Sequence, residues 1–246
     1  MISRIRILGV DVDALTEDVL FKHIENTIRN GQRRVISNHN LHSIYLYHHD
    51  PEMREFYEKS DTILIDGMPI VFAAKLHGKS VKISHRISWT DLIKKLMSIA
   101  NEQGWRVFFL GSKPGVGETA GEVFRSSNPE LTYGCRHGYF DTSRNGSENR
   151  QVIEQINAFK PHVLLVGMGM PRQEKWILDN LNDLHFNVAG NVGACMDFVA
   201  GVKALPPRWL GRFGLEWTYR LAREPTRLFR RYVIEPWSLL GHLFKR

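Results

Sequence analysis

The chain contains few cysteines and no long apolar run. Its 246 residues include two cysteines, Cys135 and Cys195, which lie 60 positions apart. The N-terminal stretch has neither the apolar core nor the cleavage site of an export signal. We therefore expect a cytoplasmic, reducing setting and free thiols. The longest uncharged apolar stretch, near 163–170, is far shorter than the roughly 18 residues that a membrane-spanning helix needs.

Motifs for metals and dinucleotides are also missing. No histidine or cysteine cluster has the spacing of metal ligands, so we expect no metal site and no cofactor. His39, His48 and His49 are interpreted as surface or capping residues. Neither the G-x-G-x-x-G fingerprint nor a Walker loop occurs, which disfavours a dinucleotide-dependent oxidoreductase.

Positive charge is concentrated at one end of the chain. The net charge is +7. The last 44 residues carry ten basic and three acidic residues, whereas the first 202 carry 23 of each sign. Arginines at three- or four-residue steps, beside a stripe of leucine and aromatic residues, predict a basic amphipathic helix that binds an anionic membrane surface. The alternative is a solvated basic face whose apolar stripe packs on the core. Nucleic acid is disfavoured because no nucleic-acid motif accompanies the charge.

Strand and helix patterns alternate through the first 201 residues. The predicted strands are Ile5–Val10, Arg34–Ser37, Thr62–Ile65, Val107–Leu110, Leu131–Gly134, Val163–Gly167 and Phe186–Ala189. One helix is predicted over Leu41–Tyr57, and another begins at a capping box formed by Ser88 and Asp91. This alternation predicts an α/β core over 1–201 with a mainly parallel sheet, followed by a basic helical appendage over 202–246.

Two loops that follow predicted strands carry polar side chains. Asn38 and Asn40 can bind sugar hydroxyls, although asparagine also caps helices well. Asp66 closes a strand beside Gly67, which suits a general base, although Asp-Gly is also an ordinary turn. The carboxyl ends of parallel strands are where α/β folds bind ligands.

Two further loops are rich in glycine. Gly111 and Lys113 precede a helix and form a plausible phosphate cradle. Gly167 and Gly169 expose backbone amides ahead of Gln173, whose side chain presents both a donor and an acceptor. These features suit a nucleotide. Arg86, just ahead of another helix, could bind a pyrophosphate bidentately.

Several strings occur together in a recognisable order, namely LIDGMPIV, FFLGSKPGV, VLLVGMGMPRQEKWI, NVGACMDFVAG and GLEWTYRLAREPTRLFRRY. In this combination the chain resembles the WecG/TagA/CpsF family of bacterial glycosyltransferases, also called glycosyltransferase family 26, from about Ile7 to Tyr232. The resemblance implies a Rossmann-like core of the GT-E type. It also implies a C-terminal appendage that contacts the membrane and contributes arginines to the active site.

The resemblance also implies roles for individual residues. The catalytic aspartate falls on Asp66, the polar pair on Asn38 and Asn40, and the conserved arginine and glutamine on Arg86 and Gln173. The appendage arginines fall on Arg212, Arg220 and Arg223. The chain departs from the family pattern in 191–197 and 203–206, which border the implied sugar pocket, so the donor sugar is not carried over.

The activity implied is inverting transfer of a sugar from a UDP-sugar to an undecaprenyl-diphosphate-linked saccharide, without a metal. Such transfer builds exopolysaccharide, capsule, teichoic acid or common antigen. The resemblance also implies a peripheral protein at the cytoplasmic face of the cell membrane. Whether the chain forms a homo-oligomer is left open. The alternative is a nucleotide- or membrane-binding module without transferase activity.

Overall fold

A six-stranded parallel sheet forms the centre of the protein in a computed structural model that describes residues 2–205, 210, 215–239 and 241. Its strands are β3 (Arg34–His39), β4 (Thr62–Ile65), β5 (Arg106–Gly111), β6 (Thr132–Arg136), β7 (Val163–Gly167) and β8 (Val188–Asn191). They lie in the order β4-β3-β8-β7-β5-β6, and every pairing is parallel. The predicted Rossmann-like α/β core is confirmed.

Helices cover both faces of the sheet. They are α1 (Glu17–Arg29), α2 (Leu41–His49), α3 (Pro51–Glu58), α4 (Met68–Leu76), α5 (Trp89–Gln103), α6 (Val116–Arg125), α7 (Ser147–Phe159), α8 (Arg172–Asn180) and α9 (Cys195–Val199). Alternate residues of a strand enter opposite cores. In β7, Leu164 and Val166 pack on the side of α4 and α8, whereas Val163 and Leu165 pack on the side of α1 and α5. All four are fully buried, as expected for a strand covered on both faces.

The prediction of one strand over Ile5–Val10 was wrong. Two strands, β1 (Ser3–Ile7) and β2 (Val10–Ala14), form an antiparallel hairpin there. Leu8 and Gly9 both adopt positive φ, 52° and 78°, and so reverse the chain in the middle of the apolar run.

The single helix predicted over Leu41–Tyr57 is divided into α2 and α3. Pro51 cannot continue a helix because it lacks an amide hydrogen, and it begins α3 instead. Asp50 caps the new helix, since its Oδ1 accepts a hydrogen bond from the amide of Glu52 at 3.0 Å.

The hairpin is fastened to the sheet through Asp13, which is 2% exposed. Its carboxylate accepts two hydrogen bonds from the guanidinium of Arg4, at 2.9 and 2.8 Å. The same carboxylate accepts a third from the amide of Ile63 in β4, at 2.8 Å. The edge of the sheet is thus covered rather than left exposed.

The appendage is helical and broken by its prolines. It contains α10 (Glu216–Arg223), α11 (Pro225–Phe229), a π-helical turn (Arg230–Ile234) and α12 (Glu235–Ser238). Leu239 is buried in the core cluster that includes α2 residues, and Nδ1 of His42 in α2 lies 2.5 Å from Oε2 of Glu235. Part of the appendage therefore packs on the core, while Trp217, Phe229, Ile234 and Trp237 stay exposed.

Replacing Asp13 by alanine should lower the free energy of unfolding by about 2–4 kcal/mol, because it leaves the Ile63 amide and the Arg4 guanidinium without their acceptor. Urea unfolding measures the change. Asp11→Ala is the matched control, since Asp11 makes a 3.4 Å contact with Arg6 and is largely exposed; its effect should stay within about 0.5 kcal/mol. Equal effects of the two substitutions would show that Asp13 does not fasten the hairpin.

Candidate active site

The carboxyl edge of the sheet opens into a cavity of about 1060 Å³. The loops that follow β3, β4, β5, β7 and β8 line it, and the appendage closes one side. The chain leaves β5 toward the edge strand β6, whereas it leaves β7 in the opposite direction, toward β8. Such a divergence of neighbouring connections creates a crevice, the usual ligand site of open α/β sheets.

Most of the predicted site residues meet in this cavity. Its lining includes Asn38, Asn40, Asp66, Arg86, Lys113, Gly167, Gly169, Gln173, Arg220 and Arg223. Gly111 is not part of the lining, and Arg212 lies outside the described residues. Sequence positions almost 190 residues apart are therefore brought to one place.

Asp66 is held between β4 and its neighbour β3. Its amide donates a hydrogen bond to the carbonyl of His39 at 2.8 Å. The Nδ2 of Asn38 donates to the Asp66 carboxylate at 3.2 Å. The next residue, Gly67, adopts φ 125°, a conformation that a side chain would resist, and α4 starts directly after it. Asp66 thus faces the cavity from a fixed turn.

A buried histidine lies beneath this turn. His39, interpreted from sequence as a surface or capping residue, is fully buried and stacks on Tyr57 with ring centroids 3.8 Å apart. Burial lowers the pKa of His39 to about 3. The imidazole is therefore neutral near pH 7 and supports the packing of the loop rather than proton transfer.

Arg86 reaches the cavity from a segment that runs alongside the end of β4. Arg86 pairs with Ile65 in a parallel bridge, and the amide of Ile87 donates to the Ile65 carbonyl at 2.8 Å. This pairing sets the arginine next to the turn that holds Asp66. Its guanidinium contacts Asp91 at 3.1 Å. Asp91 therefore binds Arg86, and the capping-box hydrogen bond predicted for Ser88 is not formed.

Backbone packing explains the glycines of the central crevice. A Cβ on Gly111 would lie 2.3 Å from the carbonyl oxygen of Gly167, so β5 and β7 can approach this closely only without side chains there. The amide of Ser112 donates to that same carbonyl at 3.0 Å, and its hydroxyl donates to Asp197 at 2.8 Å. Gly111, which was predicted to bind the nucleotide, therefore has a packing role beneath the cavity.

Gln173 ties two loops together. It is 1% exposed, and its Oε1 accepts hydrogen bonds from the amides of Gly169 and Gly193 at 3.1 and 3.2 Å. Its Nε2 donates to Glu174 at 2.7 Å. The geometry favours a positioning role, in which Gln173 fixes the backbone after β7 and β8.

Glu174 is a buried carboxylate that sequence reasoning did not single out. Its Oε1 accepts from Gln173 and from Nδ2 of Asn191, the latter at 2.8 Å. Burial raises the pKa of Glu174 above its ordinary value, although these hydrogen bonds oppose the shift. Glu174 and Asn191 thus extend the hydrogen-bond network of Gln173, which connects β8 to the loop after β7.

The appendage also supplies groups that sequence reasoning missed. Arg231 lines the cavity, and its Nη2 lies 3.5 Å from Oδ1 of Asn40. Lys203 lines it too and contacts Glu224 at 3.3 Å. Asn40 caps α2, accepting from the amide of Ser43 at 3.1 Å, so the capping alternative for this residue is realised. The basic periodicity pointed to the appendage, but the contact with Asn40 depends on the tertiary fold.

Helix N-termini add further donors. Helices α4, α5, α6 and α8 begin at the loops around the cavity without a side-chain hydrogen bond at the cap. Amides in the first turn of a helix have no partner within the helix and attract anions. Together with the lysine and arginine side chains, they make the cavity suitable for a phosphorylated ligand.

In the described part of the chain, no three His, Cys, Asp or Glu side chains cluster closely enough to hold a metal ion. Within the same residues, no helix has the length and apolar character required to cross a membrane.

This combination of fold and cavity places the chain among α/β proteins whose ligand site lies at the carboxyl edge of a parallel sheet. More particularly, it belongs to the glycosyl transferase WecG/TagA/CpsF family, whose model matches residues 5–246. The chain is therefore a glycosyltransferase, and the resemblance seen in its sequence is confirmed.

Similar proteins match nearly the whole length of this chain. Three are from Staphylococcus aureus strains MRSA252, MW2 and NCTC 8325, and each is named N-acetylglucosaminyldiphosphoundecaprenol N-acetyl-beta-D-mannosaminyltransferase. Each is 28% identical over 238 residues, which cover 93% of this chain and 88% of the relative.

Replacing Gln173 by alanine should loosen the two glycine loops, because the amides of Gly169 and Gly193 lose their shared acceptor. Hydrogen–deuterium exchange should become about fivefold faster or more at these amides, as expected when a hydrogen bond worth about 1 kcal/mol or more is lost at each. Gln151→Ala, at an exposed position of α7, is the control and should leave both amides protected. Unchanged exchange in Gln173→Ala would contradict the positioning role.

Proposed function

We propose that this glycosyltransferase moves a sugar from a UDP-sugar to an undecaprenyl-diphosphate-linked saccharide, with inversion at the anomeric carbon, in the synthesis of a cell-surface polysaccharide. The observation that carries the proposal is the meeting of Asp66 with Arg86 and the appendage arginines around one cavity. The names of the relatives support a lipid-linked diphosphate acceptor. They also make N-acetylmannosamine the first donor sugar to test.

Asp66 is the proposed general base. Its carboxylate takes the proton from the acceptor hydroxyl as that oxygen attacks the anomeric carbon of the donor. The new glycosidic bond forms while the bond from the anomeric carbon to the UDP oxygen breaks, and UDP leaves with the electron pair. Asn38 donates a hydrogen bond to the carboxylate and so keeps it oriented. The Oδ1 of Asn38 is buried and has no hydrogen-bond partner among the described residues.

Fixed positive charge is the proposed stabiliser of the departing diphosphate. Arg86, Lys113, Arg220 and Arg223 line the same cavity as Asp66. The guanidinium of Arg220 lies over the ring of Phe198, 5.6 Å from its centroid, and this contact helps to hold it in place. A diphosphate accepts bidentate hydrogen bonds from such groups. The first-turn amides of the helices that begin around the cavity complete its surroundings.

The appendage over 202–246 is proposed to bind the inner face of the cell membrane. It carries the whole net positive charge of the chain and exposes Trp217, Phe229, Ile234 and Trp237. Aromatic and basic side chains together are typical of helices that lie in a membrane interface. Because the appendage also lines the cavity, binding at the membrane would complete the site where the lipid-linked acceptor resides.

Asp66→Asn should keep the fold and UDP binding but lower the transfer rate by about 10²–10⁴-fold, the usual effect of losing a positioned general base. The assay measures UDP release with a panel of UDP-sugars and a GlcNAc-diphospholipid acceptor. Asp183→Asn, at an exposed position, should retain full activity. An Asp66→Asn enzyme with more than about a tenth of the wild-type rate would exclude the role of base.

Arg220→Ala should lower kcat/KM by about 10–100-fold even with a soluble acceptor analogue, because a charge-assisted contact to phosphate is worth roughly 1.5–3 kcal/mol. Arg220→Lys should recover part of the loss, since it keeps the charge but not the bidentate geometry. Arg29→Ala, on the surface of α1, is the control. If Arg220→Ala lowered only vesicle binding and left transfer to the soluble analogue intact, the arginine would be an anchor.

A further inference from the structure

The core exposes an apolar and basic surface that the transfer reaction does not use. It is formed by Phe72, Leu76 and Ile83 with Lys75, Lys79 and Lys82, on α4 and the loop that follows it, and is called here the α4 patch. Phe72 is 50% exposed, Leu76 80% and Ile83 60%. The three lysines are exposed as well. Large side chains exposed this close together commonly mark an interaction surface.

The charge of this segment is one-sided. Between Asp66 and Asp91 lie 24 residues with no acidic side chain and four basic ones. This local excess is hidden when the first 202 residues are summed to zero. The ion pairs of the described residues include none of the three patch lysines. Their charge is thus available to an external anion.

The opposite side of α4 is already occupied. Ile70, Val71 and Ala74 are fully buried in the core. The helix therefore cannot rotate to hide Phe72 and Leu76 without exposing these residues. The apolar side chains of the patch point outward as a consequence of how α4 packs.

The patch is joined to the active-site cavity at both of its ends. The chain leaves the cavity at Met68, Pro69 and Ile70, which line it, and returns at Arg86, which also lines it. The appendage residues Trp217 and Pro236 line the same cavity. The segment that carries the α4 patch therefore begins and ends at the cavity that Trp217 of the appendage also lines.

We propose that the α4 patch is a second membrane contact, which lies on an anionic bilayer together with the appendage. Phe72, Leu76 and Ile83 enter the interface, and the lysines bind lipid phosphates. A symmetric contact with a second copy of the chain is disfavoured, because it would bring like-charged lysines together. The proposal extends the membrane role proposed for the appendage, but vesicle binding is measured apart from transfer and so can fail independently of it.

The first test measures binding of the full-length chain to vesicles of phosphatidylglycerol and phosphatidylcholine. The triple variant Lys75→Gln, Lys79→Gln and Lys82→Gln should bind about 10–100-fold more weakly at low salt, and the difference should shrink as salt rises. The control variant Lys22→Gln, Lys94→Gln and Lys160→Gln has the same net charge but changes exposed lysines elsewhere. It should bind markedly better than the patch variant. Transfer to a soluble acceptor analogue should be equal to wild type in both.

The second test reports what covers the patch. A Leu76→Cys variant is labelled with an environment-sensitive maleimide dye, and a Val123→Cys variant, at an exposed position of α6, is the control. Burial raises the pKa of Cys135 to about 11, and Cys195 is buried, so both native thiols should react slowly at neutral pH. The dye at 76 should shift to the blue on anionic vesicles and be quenched by brominated lipid, whereas the dye at 123 should not.

Three outcomes would overturn the proposal. One is equal vesicle binding by the patch and control variants. Another is a dye at position 76 whose emission stays that of a water-exposed dye when vesicles are added. A dye at 76 that becomes buried as the protein concentration rises without vesicles would also overturn it, because that result indicates self-association. If wild type binds vesicles through the patch but transfers no sugar, the proposed function fails while the membrane contact stands.

Discussion

The parallel register of the central strands is the constraint on which the site depends. Gly111 lies opposite Gly167, Val166 opposite Asn191, and His39 opposite Ile65. These pairings end the strands at one level, so that Asp66, Ser112 and Met168 all emerge at the same edge of the sheet. The bare backbone contact between Gly111 and Gly167 closes the crevice floor, and the hydrogen bonds of Gln173 set the loops above it. A slip in register would separate Asp66 from Arg86 and the other cationic side chains that line the cavity.

Positive charge is arranged in two tiers around this frame. The inner tier, with Arg86 from the core and Arg220 from the appendage, lines the cavity. The outer tier is the surface that the appendage and the α4 patch present. Such a division suits a reaction in which both the leaving group and the acceptor lipid carry diphosphates. In the proposed function, one polyanion binds inside the cavity and the other at the membrane.

The sequence predicted all six strands of the sheet and most of the predicted site residues around the cavity. It could do so because each strand and the polar loop after it form a local pattern. It missed the hairpin, since an apolar run conceals a turn at Leu8 that sequence propensity disfavours. The contacts of Gln173 could not be predicted either, because the two amides that donate to its side chain follow the ends of two different strands. Arg231 meets Asn40 across 191 positions, and no local pattern predicts that contact.

The stereochemistry of transfer tests the mechanism most directly. A nuclear magnetic resonance time course with a UDP-sugar and a GlcNAc-diphospholipid analogue would follow the one-bond carbon–hydrogen coupling at the anomeric carbon. If Asp66 activates the acceptor for direct displacement, the first product formed has the configuration opposite to that of the donor, and UDP appears at the same rate. A product with retained configuration, or no transfer from any UDP-sugar of a broad panel, would contradict the mechanism.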